Sequence, residues 1–509
     1  MLSGLIGPAI SLILSQAGGG LAVTEIPARD LEWAVDACSI DGAPRDAALI
    51  DARNVIGATA FRKELESVGA QSVIVYGGDF TGEDMRDVAP LLSDACIVGT
   101  VLKETDWRET RLSNVWFHGV TLWDIDANGA SWTSTYMRGS NFRGADFSGA
   151  DLTGLRFVSA QMGSDFGGVT FAQANLTGAS FACGITSDSW CINGGPDFSD
   201  ADLTRADISG LGLWSSDNGV GAKIDHTMIA PRSLGAMEKA QIAGPVILTS
   251  YFASPYESER QPPTAQVSAE EARALIDATI AATPDAPSFD CADASSKVEV
   301  MICGEYDVGL RQVDRELAKA WSRARTEGVA SLREQREWLA SRAECDDRTC
   351  LQEKYEQRIG ELLGAIGPGL ILAPDQSVTY HDDTLPLPDA IRATDLYKRI
   401  YPVLINASWQ RVTLTGNEDG SIRGEGDAVG GNAHICGMRI DSMAFDPETG
   451  WWSADDPNSE KLVPILRIDG RKLAMRYSGN LGSTPAEARD LLTCGARAGF
   501  GDGIDLTPG

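Results

Sequence analysis

Ten cysteines and four histidines are the residues of this chain whose chemistry could define a site. The cysteines fall in groups: Cys38 and Cys96; Cys183 and Cys191; Cys291, Cys303, Cys345 and Cys350; Cys436 and Cys494. No two form a CxxC, and none stands with histidine at zinc spacing, so disulfides in an oxidising compartment are expected. His118, His226, His381 and His434 are scattered. His434, close to Cys436, has no second ligand candidate near it and reads as structural. The chain carries no GxSxG, HExxH, phosphate-binding loop or dinucleotide fingerprint. Carboxylates are so numerous that no pair stands out as a glycosidase dyad. The expectation is a protein that is not an enzyme, with no catalytic residue, metal or cofactor.

Seventy-two acidic residues against 43 basic ones give a formal charge of −29. That disfavours nucleic acid and anionic lipid as partners and suits a basic protein reached by electrostatic steering. Leu2 to Leu14 is mostly apolar, and Gly20-Leu21-Ala22 places small residues where a signal peptidase reads them. Residues 1–22 are therefore expected to be a signal peptide, and the mature protein periplasmic or secreted from a Gram-negative cell. The apolar run is too short to span a membrane, and no other segment is long enough.

The elements that must hold these cysteines begin with a five-residue beat. Ile97, Leu102, Trp107, Leu112, Phe117, Leu122, Ala127, Trp132, Met137, Phe142, Phe147, Leu152, Phe157 and Met162 share one frame. Two residues before them stand small or β-branched side chains such as Ala130, Thr135, Ser140, Ala145, Ala150 and Ala160. A period of five is neither helix nor strand, so this is a repeat architecture. The runs SNFRG-ADFSG-ADLTG and ADLTR-ADISG resemble the pentapeptide-repeat family over about residues 97–232. The resemblance implies a right-handed quadrilateral β-helix with one large apolar residue per side and polar residues facing water. The frame slips to Phe166, Phe171, Leu176 and Phe181, then to Phe198, Leu203, Ile208 and Leu213, then to Ile224 and Ile229. Cys183 and Cys191 bracket an excursion, GITSDSW, that a disulfide would close. Residues 27–96 lack the beat and are expected to cap the coil.

Residues 233–286 read as a linker with one short helix, opened by a capping box at Ser268 and Glu271 and reaching about Ala282. Residues 287–365 then carry amphipathic helices, one with Leu310, Val313, Leu317, Trp321 and Ala324 on a single face and another with Leu351, Tyr355, Ile359 and Leu362. The pattern FDC(x11)C, Leu310, Asp314, Leu317, Gln335, Trp338, Arg342, Cys345, Cys350, Tyr355 and Arg358 resembles the LprI-type lysozyme-inhibitor family over about 288–364. That resemblance implies an exported helical module, some relatives of which inhibit lysozyme. Its four cysteines allow three pairings; Cys303–Cys345 with Cys291–Cys350 and the two sequence-local pairs both suit short helical hairpins. Trp338 and Arg342 share a helix face, and packing and lysozyme contact are both open to them.

From 372 to 509, alternating apolar and polar residues between turns predict a small antiparallel β-domain, barrel-like, with Cys436 bonded to Cys494. It resembles β-domains that follow LprI-type modules in exported bacterial proteins. The expected whole is multidomain: a solenoid scaffold, a disulfide-bonded helical module and a β-domain, acting as a binding protein on a basic lysozyme or other muramidase. The alternative is an envelope structural or adaptor protein without inhibitory activity. A third reading, taken from another branch of pentapeptide-repeat proteins, is a DNA-mimicking gyrase inhibitor; the export signal, the cysteines and the frame slips argue against it.

Overall fold

The computed structural model describes residues 34–39, 47–69, 72–141, 143–158, 167–182, 195–211, 213, 215–249, 263–282, 286–304, 308–382, 385, 387–406, 410–429, 435–455, 462–469, 471–477, 488, 491–494, 500 and 504–506. The expected signal peptide 1–22, Cys183, Cys191, His434 and the positions Phe142, Ala160, Met162 and Phe166 lie outside the described residues. The chain divides into two compact units, Met1–Thr279 with Leu387–Ala407, and Ile280–Pro386 with Ser408–Gly509.

In the first unit a short helix α1 (34–39) precedes β1 (Ala48–Asp51), and α2 (Ala58–Val68) leads to β2 (Val73–Tyr76). Three-residue strands follow: β3 (Cys96–Val98), β4 (Arg111–Ser113), β5 (Trp116–His118), β6 (Ser131–Thr133), β7 (Tyr136–Arg138), β8 (Arg156–Val158) and β9 (Ser180–Ala182). All pair in parallel, β1-β2-β3-β5-β7-β8-β9 on one side and β4-β6 on another. Cys96, Trp116, Tyr136 and Arg156 occupy one register column, so each regular coil is four pentads long. The frame slips fall where a coil exceeds four pentads, as between the paired residues Arg156 and Ser180 and between Thr170 and Asp197.

A left-handed corner every fifth residue makes the coil square. Gly99, Glu104, Glu109, Asn114, Gly119, Asp124, Gly129, Ser134, Gly139, Gly144, Gly149 and Gly154 all have φ between 52° and 70°. Glycine is favoured there because it has no Cβ to strain the left-handed region. Where an Asp or Asn precedes the core residue, as at Asp106, Asp126, Asp146 and Asp151, it does more than face water. Its carboxylate or amide oxygen accepts the N–H two residues on, as Asp106 does from Arg108 at 3.0 Å and Asp146 from Ser148 at 2.8 Å. Within the coil, no described residue of the beat from Ile97 to Phe157 is more than 2 % exposed. Trp107, Trp132, Phe147, Phe171 and Phe198 form a continuous aromatic column with neighbouring centroids 5.4 to 5.6 Å apart. Both indole N–H groups are satisfied inside it, Trp107 donating to Thr105 Oγ1 (2.7 Å) and Trp132 to Thr110 Oγ1 (3.1 Å).

The coil is longer than its regular beat. Phe80 and Met85 are buried and their neighbours Asp79 and Asp84 bridge to Val101 and Asp106, so stacking starts inside the segment read as a cap. A single 3-10 turn at Ala89–Leu91 displaces the frame by two residues and hides this first coil from the periodicity. At the other end β10 (Lys223–Ile224) pairs with β12 (Gln241–Ile242), and β11 (Thr227–Ile229) with β13 (Val246–Thr249), both in parallel. Stacking therefore extends into the expected linker. An antiparallel strand β14 (Thr264–Val267) ends it, and α3 (Ala269–Ala282) follows behind the expected Ser268–Glu271 capping box.

The second unit opens with α4 (Lys297–Ile302), α5 (Val308–Thr326), α6 (Leu332–Ser341) and α7 (Arg348–Ile366). The β-domain consists of β15 (Ser377–Asp382), β16 (Gln410–Gly416), β17 (Ile422–Val429), β18 (Ile435–Asp446), β19 (Trp451–Asp455), β20 (Leu462–Asp469), β21 (Lys472–Met475), β22 (Leu492–Cys494) and β23 (Ile504–Leu506). They run antiparallel in the order β17-β16-β15-β23-β21-β20-β19-β18-β22, and β17 also pairs with β18, so the sheet curls back onto itself. Cys436 and Cys494 are direct cross-strand partners and are bonded. Helix α7 lies on the turn between β18 and β19 at Gly360 and Gly364. A Cβ on Gly364 would meet the Pro447 carbonyl oxygen at 2.3 Å, and one on Gly360 the Thr449 carbonyl oxygen at 2.7 Å. The helical module and the β-domain therefore share one compact unit.

Residues 387–407, read with the β-domain, belong to the first unit instead. There α8 (Asp389–Arg392) and α9 (Asp395–Asn406) follow one another, and α9 packs on β13 and β14 through a face that buries Tyr397, Ile400, Val403 and Leu404. Arg399 pairs with Glu271 of α3 at 2.7 Å, while Arg273 of α3 donates to the carbonyls of Glu238 and Ala240. These contacts cover the last coil, whose backbone would otherwise present an open edge.

The corner geometry predicts opposite effects for two substitutions. Gly149→Ala has open space for its Cβ but an unfavourable φ, and should lower the unfolding free energy of the first unit by about 1–2 kcal/mol. Glu109→Gly relieves a strained corner and should not destabilise, gaining up to about 1 kcal/mol. Denaturant unfolding of the two variants beside the parent checks both signs.

Candidate interaction site on the helical bundle

Helix boundaries in the bundle follow from local side-chain chemistry. Ser296 and Glu299 form a capping box at the start of α4, and Ser331 and Glu334 form another at α6. Asp347 caps α7 by accepting the Cys350 N–H at 2.9 Å. The expected apolar faces are the ones buried. Leu310, Leu317 and Ala324 of α5 meet Leu351, Tyr355, Ile359 and Leu362 of α7, with Val313, Trp321 and Trp338 partly buried against them. The four cysteines pair locally, Cys291 with Cys303 and Cys345 with Cys350. The crossed alternative is not adopted. Among the described residues no cysteine is free.

The five motif residues come together on the α6–α7 side. Trp338 meets the Tyr355 ring edge-on at 5.0 Å, and the Arg342 guanidinium lies 6.0 Å from the Trp338 centroid and donates to the Tyr355 hydroxyl. Tyr355 in turn donates to Asp314 Oδ1 at 2.9 Å, and the second carboxylate oxygen accepts both the N–H (2.8 Å) and the hydroxyl (2.6 Å) of Ser288. Burial, with Asp314 second, pushes the Tyr355 hydroxyl far above the usual tyrosine range. Gln335 accepts from Arg358 Nε at 3.3 Å, and Arg358 also pairs with Glu361 at 2.9 Å. Asp314, Gln335 and Tyr355 are all less than 9 % exposed, so this constellation holds helices together rather than meeting solvent. Arg311, which the sequence did not single out, is equally buried and donates to the Gly304 carbonyl at 2.5 Å. A basic residue one turn before a motif aspartate was the available signal.

Among the charged residues that the bundle shows to solvent stand a few apolar ones that the sequence did not single out. Val300, Val329, Leu332 and Leu339 are 59, 42, 52 and 40 % exposed. Leu332 and Leu339 stand two turns apart on α6 and therefore share a side, with Arg336 between them. Nothing in the helical period of α6 requires leucine there for the core. Among the described residues no group of three or more His, Cys, Asp or Glu side chains could hold a metal ion. No helix among them is long and apolar enough to cross a membrane.

The family model described as pentapeptide repeats matches residues 117–154, in eight copies. The coil of the first unit is thus a pentapeptide-repeat β-solenoid. No curated protein matches the chain. Among solved structures, HetL, a pentapeptide repeat protein involved in heterocyst differentiation regulation from the cyanobacterium Nostoc sp., is 17% identical over 36% of this chain and 70% of its own, with a TM-score of 0.18. QnrB1, a plasmid-mediated fluoroquinolone resistance protein, is 18% identical over 35% and 92%, with a TM-score of 0.14. A pentapeptide repeat protein from the Arabidopsis thaliana thylakoid lumen is 18% identical over 31% and 83%, at 0.13.

Two outcomes follow for the bundle. Asp314→Ala strands the buried Tyr355 hydroxyl, while both donors of the exposed Ser288 turn to water, and should destabilise the second unit by roughly 1–3 kcal/mol, read by thermal unfolding. Glu299 is held down to about 2, first by the backbone N–H groups of Ser296 and Ser295 and also by Arg342 nearby. Its folded value lies below the ordinary 4.5, so its contribution is full above pH 4.5 and disappears as pH falls toward 2. Glu299→Gln should flatten the acid limb of helical stability measured by circular dichroism in that window.

Proposed function

We propose that this protein is an exported, non-enzymatic binding protein whose helical bundle engages a basic lysozyme or other muramidase, with the solenoid as scaffold. The observation that carries the proposal is the exposed leucine pair of α6 on a bundle otherwise fixed by its motif network and two disulfides. A rigid module that leaves Leu332 and Leu339 outside has a surface suited to a partner, and an acidic chain draws a basic enzyme toward it. Occlusion of the partner's cleft needs no catalytic group. Trp338 and Arg342 act in this reading from beneath, by holding α6 in place.

The DNA-mimic reading is not favoured. On the outer flank of the coil, Arg86 pairs with Asp84 and Asp106, and Arg108 with Asp106 and Asp126. These bridges neutralise part of the acidic ladder that imitation of a duplex would need.

In a cell-wall clearing assay, micromolar protein should slow a c-type or a g-type lysozyme, and more so at low salt. Leu332→Asp with Leu339→Asp should weaken inhibition at least tenfold while the helical signal is kept. Absence of any effect on both enzymes would leave the envelope adaptor reading in its place. Export is tested by fusing residues 1–40 to alkaline phosphatase; activity of the fusion in intact cells is expected, and an inactive cytoplasmic fusion would refute it.

A further inference from the structure

The β-domain carries a cleft of about 460 Å³ that none of the foregoing uses. It lies between residues 368–372, the turn joining β16 to β17, and the β18–β19 hairpin. That volume is within the range of small-molecule sites. One wall is apolar, made by Leu370, Ile371, Phe445 and Trp452. Ile371 is 86 % exposed, a large side chain that the fold itself does not bury. The Trp452 indole N–H is already given to the Pro368 carbonyl at 3.1 Å.

The other end is polar, and its protons can be counted. Ser421 donates its N–H (3.0 Å) and its hydroxyl (2.7 Å) to Asp419 Oδ1. Ser442 donates its hydroxyl to Ser421 Oγ at 3.0 Å. Asn417 Nδ2 donates to the same Oγ at 2.9 Å and to the Asp441 carbonyl at 3.0 Å, and the Gly420 N–H goes to the Asn417 carbonyl at 3.3 Å. Every one of these donors is committed. The side chains of the polar end have left to offer Asp419 Oδ2, on an exposed residue, and the lone pairs of Ser442. The Ser421 hydroxyl and N–H also keep the Asp419 carboxyl below the usual range, so it is anionic at neutral pH.

A charged end whose side chains accept but no longer donate, beside an apolar wall, favours a group that brings positive charge and several protons on an apolar body. An ammonium does this; an alcohol brings one proton and no charge, and a carboxylate brings neither. We propose that this cleft binds apolar primary amines, the ammonium on Asp419 and Ser442 and the body along Leu370, Ile371 and Phe445.

Calorimetric titration of the full-length protein with n-hexylammonium, ethylammonium, 1-hexanol and hexanoate tests it. Hexylammonium should bind at least tenfold more tightly than hexanol and ethylammonium, and hexanoate should give no saturable binding. Asp419→Asn should bring hexylammonium down to the hexanol level and leave hexanol unchanged. Ile371→Ser, at a solvent-exposed position, should weaken both with the circular dichroism spectrum intact. Three results would overturn the proposal: hexylammonium that does not saturate at millimolar concentration, ethylammonium bound as tightly as hexylammonium, or an Asp419→Asn variant with unaltered amine affinity.

Discussion

The square coil exists because the chain accepts a left-handed backbone at every fifth position. That corner turns each side by a right angle and returns the chain to register after four pentads, as the column through Cys96, Trp116, Tyr136 and Arg156 records. One inward residue per side then stacks on its counterpart above and below, as Phe147, Phe171 and Phe198 do, while Trp132 reaches in from a neighbouring side to bridge Trp107 and Phe147. The Asp and Asn residues of the beat serve the same corner by accepting the N–H that the turn would otherwise leave unpaired. Where glutamate, glutamine or arginine occupies the corner, as at Glu104, Gln173 and Arg205, the parallel ladder holds the strained conformation in place.

The second unit rests on different terms. Its local disulfides, with separations of 12 and 5 residues, restrict the unfolded chain by about 2–3 kcal/mol each in the chain-entropy picture, whereas Cys38–Cys96 and Cys436–Cys494, each spanning 58, restrict it by about 4. The bundle is therefore held jointly by its two short disulfides, by the Asp314–Tyr355–Arg342 network and by α7 lying backbone-close on the β18–β19 turn. Gly360 and Gly364 make that approach possible because any side chain would strike a carbonyl oxygen. Arg476 to Glu356 at 2.9 Å and Arg467 to Glu316 at 3.4 Å add ion pairs between the β-domain and the helices.

What was legible in the sequence was periodic. The beat from Ile97 onward, the buried faces of α5 and α7, the box at Ser268 and the curled antiparallel sheet are all spacing signals. Long-range choices were not legible. Cys436–Cys494 was expected and is formed, but the pairing of the four bundle cysteines stayed open, and Asp314 lies 41 residues from Tyr355, so no local pattern announces that they meet. The first coil was hidden by one 3-10 turn, and the last by its brevity. Helix α9 did carry a signal, Tyr397, Ile400, Val403 and Leu404 at helical spacing, but Pro402 within it reads as a breaker and its neighbours read as strands. At the bundle, the motif residues marked the interior, while the exposed leucines of α6 belong to no motif.

Helix α9 has a consequence for biosynthesis. The edge that it covers, β13 with β14, is complete once residue 267 has been made, yet its cover is encoded more than a hundred residues later. During translation at about 5–20 residues per second, the solenoid would stand with an uncovered last rung for roughly 6–30 s. All of α4 to α7 and the first barrel strand emerge in that interval, and the barrel strand must wait in turn for β16 and β23. The nascent chain thus cannot finish its units one after the other, and each stays provisional until the ribosome has supplied part of the other.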